Sequence, residues 1–348
     1  MNAVTQFLYN VLAAINGVVN NYGLSIIIFT ILMRLICMPF DYRSRKGMRK
    51  MALIQPKLNE LQRKYGNDKQ KFQQKQAELM KKENYNPMSG CLPLLLTWPL
   101  MIAMFAAMRG IANEQLAMQT FRYLAGDGTP IQAAEHFLWI RNVWMTDSPF
   151  TAIAPNAQSL QFLTQEVWQR AYANLSDGQL AAILQNVPGL TAESFSGDAL
   201  KTTVATLMEA LGGVEGYAAA VQPVPGWENV NFLLLFSISL YKNFNGLLIL
   251  PILAGVTQVI QTKFNPQMQN QNTVPQPENE QNKGTGNFMK WFFPILSVYF
   301  CLTSNAGFAI YWVTSNVIMF AQSIVITKVL ERQDKKQANT VSGEGTVK

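Results

Sequence analysis

Four stretches of this chain are long and apolar enough to demand a bilayer: residues 22–40, 91–112, 246–262 and 288–327. A spanning helix needs roughly 20 such residues. The last stretch is too long for one helix, and TSNAGF at 303–308 breaks it with polar residues and Gly307 that suit a tight turn. The expected fold is therefore an all-α integral membrane protein with five transmembrane helices, at 22–40, 91–112, 246–262, 288–304 and 307–327. Composition agrees, since 49% of the residues are hydrophobic and only 14% charged, where soluble domains carry roughly 25% charged residues. A weaker run, NFLLLFSISLY at 231–241, has 11 residues and is too short to cross. It reads as an interfacial segment.

Basic residues set the expected orientation, because Lys and Arg collect on the cytoplasmic side. No Lys or Arg precedes Arg34, and the first inter-span segment, 41–90, holds thirteen basic residues against five acids. Residues 113–245 reverse this with eleven acids and five basic residues. The first loop is thus predicted inside, the N-terminus outside and the C-terminus in the cytoplasm, where Lys328, Arg332, Lys335 and Lys336 agree. The net charge of +7 follows this topology and suits contact with anionic lipid or the ribosome, rather than a specific nucleic-acid sequence.

Between the spans the chain reads as follows. Residues 1–21 repeat Val4, Phe7, Leu8, Val11, Leu12, Ile15, Val18 and Val19 at helical spacing, an amphipathic helix on the outer surface. They lack a charged leader region and a cleavage site, so no removed signal peptide is read there. Residues 41–90 form a basic cytoplasmic segment with a helical hairpin at 41–86, turned and capped by Gly66, Asn67 and Asp68, with a kink or start at Pro56. Its narrow apolar stripe of Met48, Met51, Leu58, Leu61, Leu79 and Met80 predicts weak packing; the hairpin is either a mobile partner-binding element or a solvated face that fixes topology. The outer loop, 113–245, carries amphipathic helix patterns with Ser176, Asp177 and Asp198 as caps and Gly212-Gly213 as a stop, predicting a small inserted helical domain at about 150–245. Residues 263–287 are a polar, proline-containing cytoplasmic linker with little fixed structure, and the basic tail, 328–348, is expected to be similar beyond Arg332.

No motif for ATP hydrolysis, metalloproteolysis, esterase chemistry or dinucleotide binding occurs. His136 has no Cys or carboxylate cluster beside it, and Cys37, Cys91 and Cys301 form no C-x-x-C pair. The chain reads as no enzyme, with no cofactor and no metal. What remains is polar residues on helix faces. Thr30 and Arg34, four apart, share a face of the first span. Thr257, Gln258 and Gln261 mark a polar stripe on the third, and Tyr311, Trp312, Ser315 and Asn316 on the fifth. If these faces converge they line a wet groove around Arg34; alternatively they only hydrogen-bond packed helices together. Arg34 itself either faces that groove or snorkels to the cytoplasmic end about 9 Å away. A charge at a helix centre costs about 2.5–3.5 kcal/mol on the mildest scale, and no span contains an acid to offset it.

SIIIFTILMRLICMPF, the run from KMALIQPKLNELQRKYGNDK through NYNPMSGCLPLLLTWPL, LPILAGVTQVIQ, and WFFPILSVYFCLTSNAGFAIYWVTSN together closely resemble the YidC/Oxa/Alb family of membrane protein insertases. The resemblance covers 22–112 and 246–327, and its most specific piece is the motif carrying Asn86, Pro87, Gly90, Cys91 and Pro93. It implies five helices around a hydrophilic groove open to the cytoplasm and to lipid. Arg34 matches the family's groove arginine and Thr30 the threonine one turn earlier. Tyr311 and Trp312 match positions that meet substrate, and Gln258 and Asn316 are expected to face the groove. The implied function is an ATP-independent insertase and chaperone for nascent membrane proteins. The implied partners are the ribosome, the Sec translocon, the signal-recognition targeting receptor and anionic lipids. The alternative is a small-solute transporter or channel. The stretch from FLWIRNVWMTDSPF at 137–150 to Leu250 is longer than the family pattern, which places an insert in the outer loop. The large periplasmic domain of many Gram-negative members and a transit peptide are both missing, so a multi-pass protein of a Gram-positive-type bacterial plasma membrane is expected.

Overall fold

The computed structural model describes the backbone of residues 3–85, 88–126, 131, 135–232, 236–264 and 281–344. Helices dominate: α1 (Ala3–Val19), α2 (Tyr22–Tyr65), α3 (Lys69–Lys82), α4 (Met88–Ala125), α5 (Ala157–Leu160), α6 (Gln165–Ala173), α7 (Asp177–Asn186), α8 (Ala199–Gly212), α9 (Tyr217–Ala220), α10 (Ile249–Phe264), α11 (Gln281–Thr303) and α12 (Ala306–Glu344). A 3₁₀ turn covers Ala192–Phe195, and a small antiparallel hairpin joins β1 (Val230–Phe232) to β2 (Phe236–Ile238), with Asn231 opposite Ser237. These strands take in part of the 231–241 run. Among the described residues, Tyr22–Tyr65 and Ala306–Lys335 are long and apolar enough to cross a membrane, and Val4–Val19 and Trp291–Thr303 are shorter apolar helices. The chain divides into two compact units, described separately here: residues 1–29, 103–254 and 298–312, and residues 30–102, 255–297 and 313–348.

In the first unit α1 buries Leu8 and Leu12 and leaves Val4, Phe7 and Val18 more than half exposed. Its apolar residues thus fall on two faces, one packed on protein and one exposed. Tyr9 ties α1 to α4 by donating its hydroxyl to Glu114 Oε1 at 3.1 Å, and burial with the Glu114 charge pushes that phenol up to about 12. The helices after α4 share a core with it. The core aromatics, Trp168 of α6 and Phe195 of the 3₁₀ turn, stack at 5.4 Å, and Phe121 of α4 meets both edge-on at 5.6 and 6.0 Å. All three are fully buried, so α4 supplies one wall of that core. Ser176 caps α7 in a box with Gln179, as its position predicts, whereas Asp198 precedes α8 without a capping bond from its side chain.

Two polar anchors fix where the later helices begin. Asp147, fully buried, accepts from the Leu247 amide at 2.8 Å and the Leu250 amide at 2.7 Å. It thereby caps α10, satisfying amides a helix start leaves orphaned and placing the start at Ile249. The 303–308 turn docks through the Ala306 and Gly307 amides, which donate to the carbonyls of Met145 and Val143, both at 2.8 Å. Gly307 allows that approach, because a Cβ there would meet Ile26 at 3.1 Å and Val143 at 3.3 Å. Asn305 then caps α12 by accepting from the Phe308 amide at 2.9 Å.

In the second unit α2 continues past the predicted span end at Phe40, through Pro39 and Pro56, to Tyr65. No new helix starts at Pro56. Helical propensity in the long Lys, Arg, Gln and Leu run past Phe40 explains the continuity. Asp68 caps α3 by accepting from the Lys71 amide at 3.0 Å. The hairpin closes on Ile54, Leu58 and Tyr85, with Met51, Leu79 and Met80 beside them; Ile54 and Tyr85 widen the expected stripe. Lys57 pairs with Glu83 at 2.7 Å and Lys50 donates to the Asn84 carbonyl at 2.8 Å. The tail expected to lack fixed structure is instead the continuation of α12 to Glu344. Tyr42 reaches Gln333 at 3.0 Å and Arg49 pairs with Asp334 at 2.9 Å, giving the emerging helix a packing partner.

Candidate functional site: a buried polar cluster on three helices

The first turns of α2 are apolar, and the side chains that depart from that pattern recur one turn apart. Thr30 is fully buried, and Arg34, one turn on, points to α12. Arg34 Nε donates to Ser315 Oγ at 2.8 Å, and Nη2 of the same guanidinium also reaches that hydroxyl. Two turns further along α12, Gln322 donates Nε2 to the Arg34 carbonyl at 3.0 Å. Its own Oε1 is buried with no partner among the described residues.

α10 contributes the third face. Asn316 of α12 donates Nδ2 to Thr257 Oγ1 at 3.2 Å, and Gln261 donates to the Asn316 carbonyl. Gln258, Gln261, Thr262, Ser315, Asn316 and Gln322 are all buried. Of the residues singled out in the sequence, Arg34 and Asn316 thus join the cluster by hydrogen bonds, and Thr30 and Gln258 are buried on the same helices. Ser315, Gln261 and Thr257, noted there only as stripe members, prove to be working contacts.

Tyr311 and Trp312 belong to the first unit, in an aromatic group where Phe308 meets them at 6.2 and 5.6 Å and Phe300 meets Trp312 at 6.4 Å. Asn86 and Pro87 lie outside the described residues, and Gly90, Cys91 and Pro93 fall in the opening turns of α4.

Sequence reasoning missed one charge. Asp41 stands seven residues after Arg34 on the uninterrupted α2, two turns along the same face. Burial pushes its carboxyl above the usual carboxylate value, while Arg34 and Arg45 pull it back down. The signal was present in the i, i+7, i+11 spacing of Arg34, Asp41 and Arg45, but ending the span at Phe40 assigned Asp41 to the hairpin and not to the face of Arg34. Arg34 is therefore a hydrogen-bonded cation with a carboxylate in its field.

Hydroxyls, amides and one arginine thus cluster on three helices, two of them apolar enough to span a bilayer, as a helical membrane protein would carry them. The model of the 60Kd inner membrane protein family matches residues 14–196 and 215–335, and the chain belongs to that family. Among its relatives, membrane protein insertase YidC of Fusobacterium nucleatum is 34% identical over 168 residues, 48% of this chain and 71% of that protein. The protein of the same name from Chlorobium limicola is 38% identical over 134 residues, 38% of this chain and 20% of its own length. That of Chlorobaculum tepidum is 24% identical over 324 residues, 93% of this chain and 35% of the relative. The chain thus spans as little as a fifth of the curated relatives it matches. The matched stretches run through the 3₁₀ turn and resume before α9, leaving residues 197–214 outside the match.

Proposed function

We propose that this protein is a membrane protein insertase and chaperone that accepts newly made membrane proteins without ATP. The observation that carries the reading is Arg34 held by Ser315 within a buried cluster of side chains from α2, α10 and α12. The names of the relatives point the same way. In this proposal five helices cross the plasma membrane with the N-terminus outside and the C-terminus in the cytoplasm. Thr30, Arg34, Gln258 and Asn316 hydrate the groove and shorten the apolar barrier. Arg34 attracts the acidic or polar outer segment of a substrate, and because the local dielectric is low the attraction is strong. Tyr311 and Trp312 offer aromatic surface to the substrate helix. The ribosome, the Sec translocon, the targeting receptor and anionic lipids are the proposed partners on the basic cytoplasmic side.

Reconstitution tests this. Purified full chain in liposomes is expected to insert a synthesised single-span protein with an acidic translocated segment, with no nucleotide and no solute flux. Flux of small solutes without insertion would sink the proposal in favour of a transporter. Insertion that requires added translocon would reduce the role to an assisting chaperone.

A further inference from the structure

The second unit also contains a concave feature that the insertion reading leaves unused. Arg45, Met48 and Arg49 of α2 face Thr327, Leu330 and Glu331 of α12 around a pocket of about 200 Å³. Arg45 and Arg49 are one turn apart on one helix face, and guanidinium forks bind phosphate oxygens in pairs. Each is fixed from behind. Arg45 donates Nη1 to Ser323 Oγ at 2.7 Å, and Arg49 is held by Asp334 at 2.9 Å. A guanidinium carries five N–H donors, so these bonds orient the two side chains without exhausting them. Arg43, Lys46 and Lys50 add positive charge on the same stretch of α2, where residues 42–50 contain no acid. Burial lowers the Arg45 guanidinium from its ordinary value and Asp41 opposes that.

Depth is the second argument. Arg45 lies five residues past Phe40, about 7–8 Å at helical rise, and the headgroup layer is roughly 5–8 Å deep on each face of a bilayer. Thr327 closes the fifth span as read from the sequence, one turn before Glu331. The pocket wall then divides by chemistry. Met48 and the buried Leu330 offer apolar surface toward the bilayer, the arginines offer cations, and Glu331 offers an acceptor that repels a second anionic group.

We propose that this pocket holds the headgroup of an anionic, hydroxyl-rich phospholipid such as phosphatidylglycerol. Arg45 and Arg49 take the phosphate, and Thr327 and Glu331 take the glycerol hydroxyls. Phosphatidylcholine has no hydroxyl to donate, and the carboxylate of phosphatidylserine meets Glu331. The proposal rests on the membrane orientation proposed above and not on insertase activity.

The test is lipid retention by the full chain in detergent, measured by native mass spectrometry against phosphatidylglycerol, phosphatidylserine and phosphatidylcholine. Phosphatidylglycerol is expected to bind about tenfold more tightly than phosphatidylcholine, and Arg45→Gln with Arg49→Gln should erase that margin, the scale of one lost charge-assisted bond. Arg43→Gln with Lys46→Gln removes the same charge outside the pocket and should leave the margin standing. Glu331→Gln should raise phosphatidylserine toward phosphatidylglycerol. If the double glutamine variant fails to fold by circular dichroism, Arg45→Lys with Arg49→Lys, which keeps charge and loses the forks, is expected to show a reduced margin. Equal loss in both glutamine pairs would assign the effect to diffuse surface charge and overturn the pocket. No preference for phosphatidylglycerol would do the same, and displacement of lipid by millimolar inorganic phosphate would assign a free-phosphate site instead. Liposome insertion measured in parallel separates the two proposals, since its failure strikes the insertase reading and leaves lipid retention untouched.

Discussion

Arg34 is the residue on which the proposed mechanism turns, and its surroundings make the outcome of changing it specific. Arg34→Ala removes the cation and the bonds to Ser315, so insertion of substrates with acidic translocated segments should fall at least tenfold, while neutral segments are less affected. Arg34→Lys keeps the charge and should retain most of the activity. Equal rates for wild type and Arg34→Ala on an acidic segment in reconstituted liposomes would remove the electrostatic role. Asp41 works in the opposite sense. Seven residues at helical rise put it about 10 Å from Arg34 along the axis, where opposite charges attract by ~1–2 kcal/mol at an effective dielectric near 20. Asp41→Asn should therefore speed insertion of acidic segments, read in the same assay; slower insertion would mean that Asp41 serves the cluster by holding Arg34 in place.

At the scale of elements, helix starts are where single side chains matter most. Asp147 satisfies two amides at the start of α10 from a fully buried position. Asp147→Ala should cost about 1–3 kcal/mol and lower the thermal midpoint in detergent, with Asp147→Asn, which keeps one acceptor, in between. This cap also marks the limit of what the chain discloses by inspection. Ser176 and Asp68 were legible as caps because each immediately precedes its helix. Asp147 was not, because it lies a hundred residues before the helix it caps, and local pattern cannot report a contact made by tertiary folding. The polar cluster divides along the same line. Thr30, Arg34, Gln258 and Asn316 stand out because hydroxyls, amides and charge are conspicuous in apolar helices, whereas the bond from Gln322 to the Arg34 carbonyl joins residues 288 positions apart. The arm of the hairpin was legible as helix, but its continuity with the first span and the extension of α12 were not, because charge ends a membrane span without ending the helix.

For the whole molecule, the outer region should titrate as one body with the α4 extension that shares its core. Burial raises the Glu135 carboxyl from 4.5 to about 7, with Arg122 pulling it partly back. A carboxyl raised on folding binds its proton more tightly in the folded state, so its contribution is most favourable below pH 4.5, declines between 4.5 and about 7, and is constant above. The thermal midpoint of the outer region should accordingly drop across that window, and Glu135→Gln should flatten the drop; an unchanged slope in the variant would exclude Glu135 as its source. Trp168→Ala, which removes a ring stacked on Phe195 and edge-on to Phe121, should cost about 3–5 kcal/mol and loosen α4 as well, detectable as faster amide exchange in residues 113–125. The continuity of α2 has a mechanical meaning. From Arg34 to Tyr65 the chain is one helical rod of about 46 Å at helical rise. A turn of the hairpin is therefore carried along α2 toward Arg34. The rod can yield where backbone bonds are missing, at Pro39 and Pro56, so in the proposed mechanism docking at the hairpin and the aim of Arg34 are geared together.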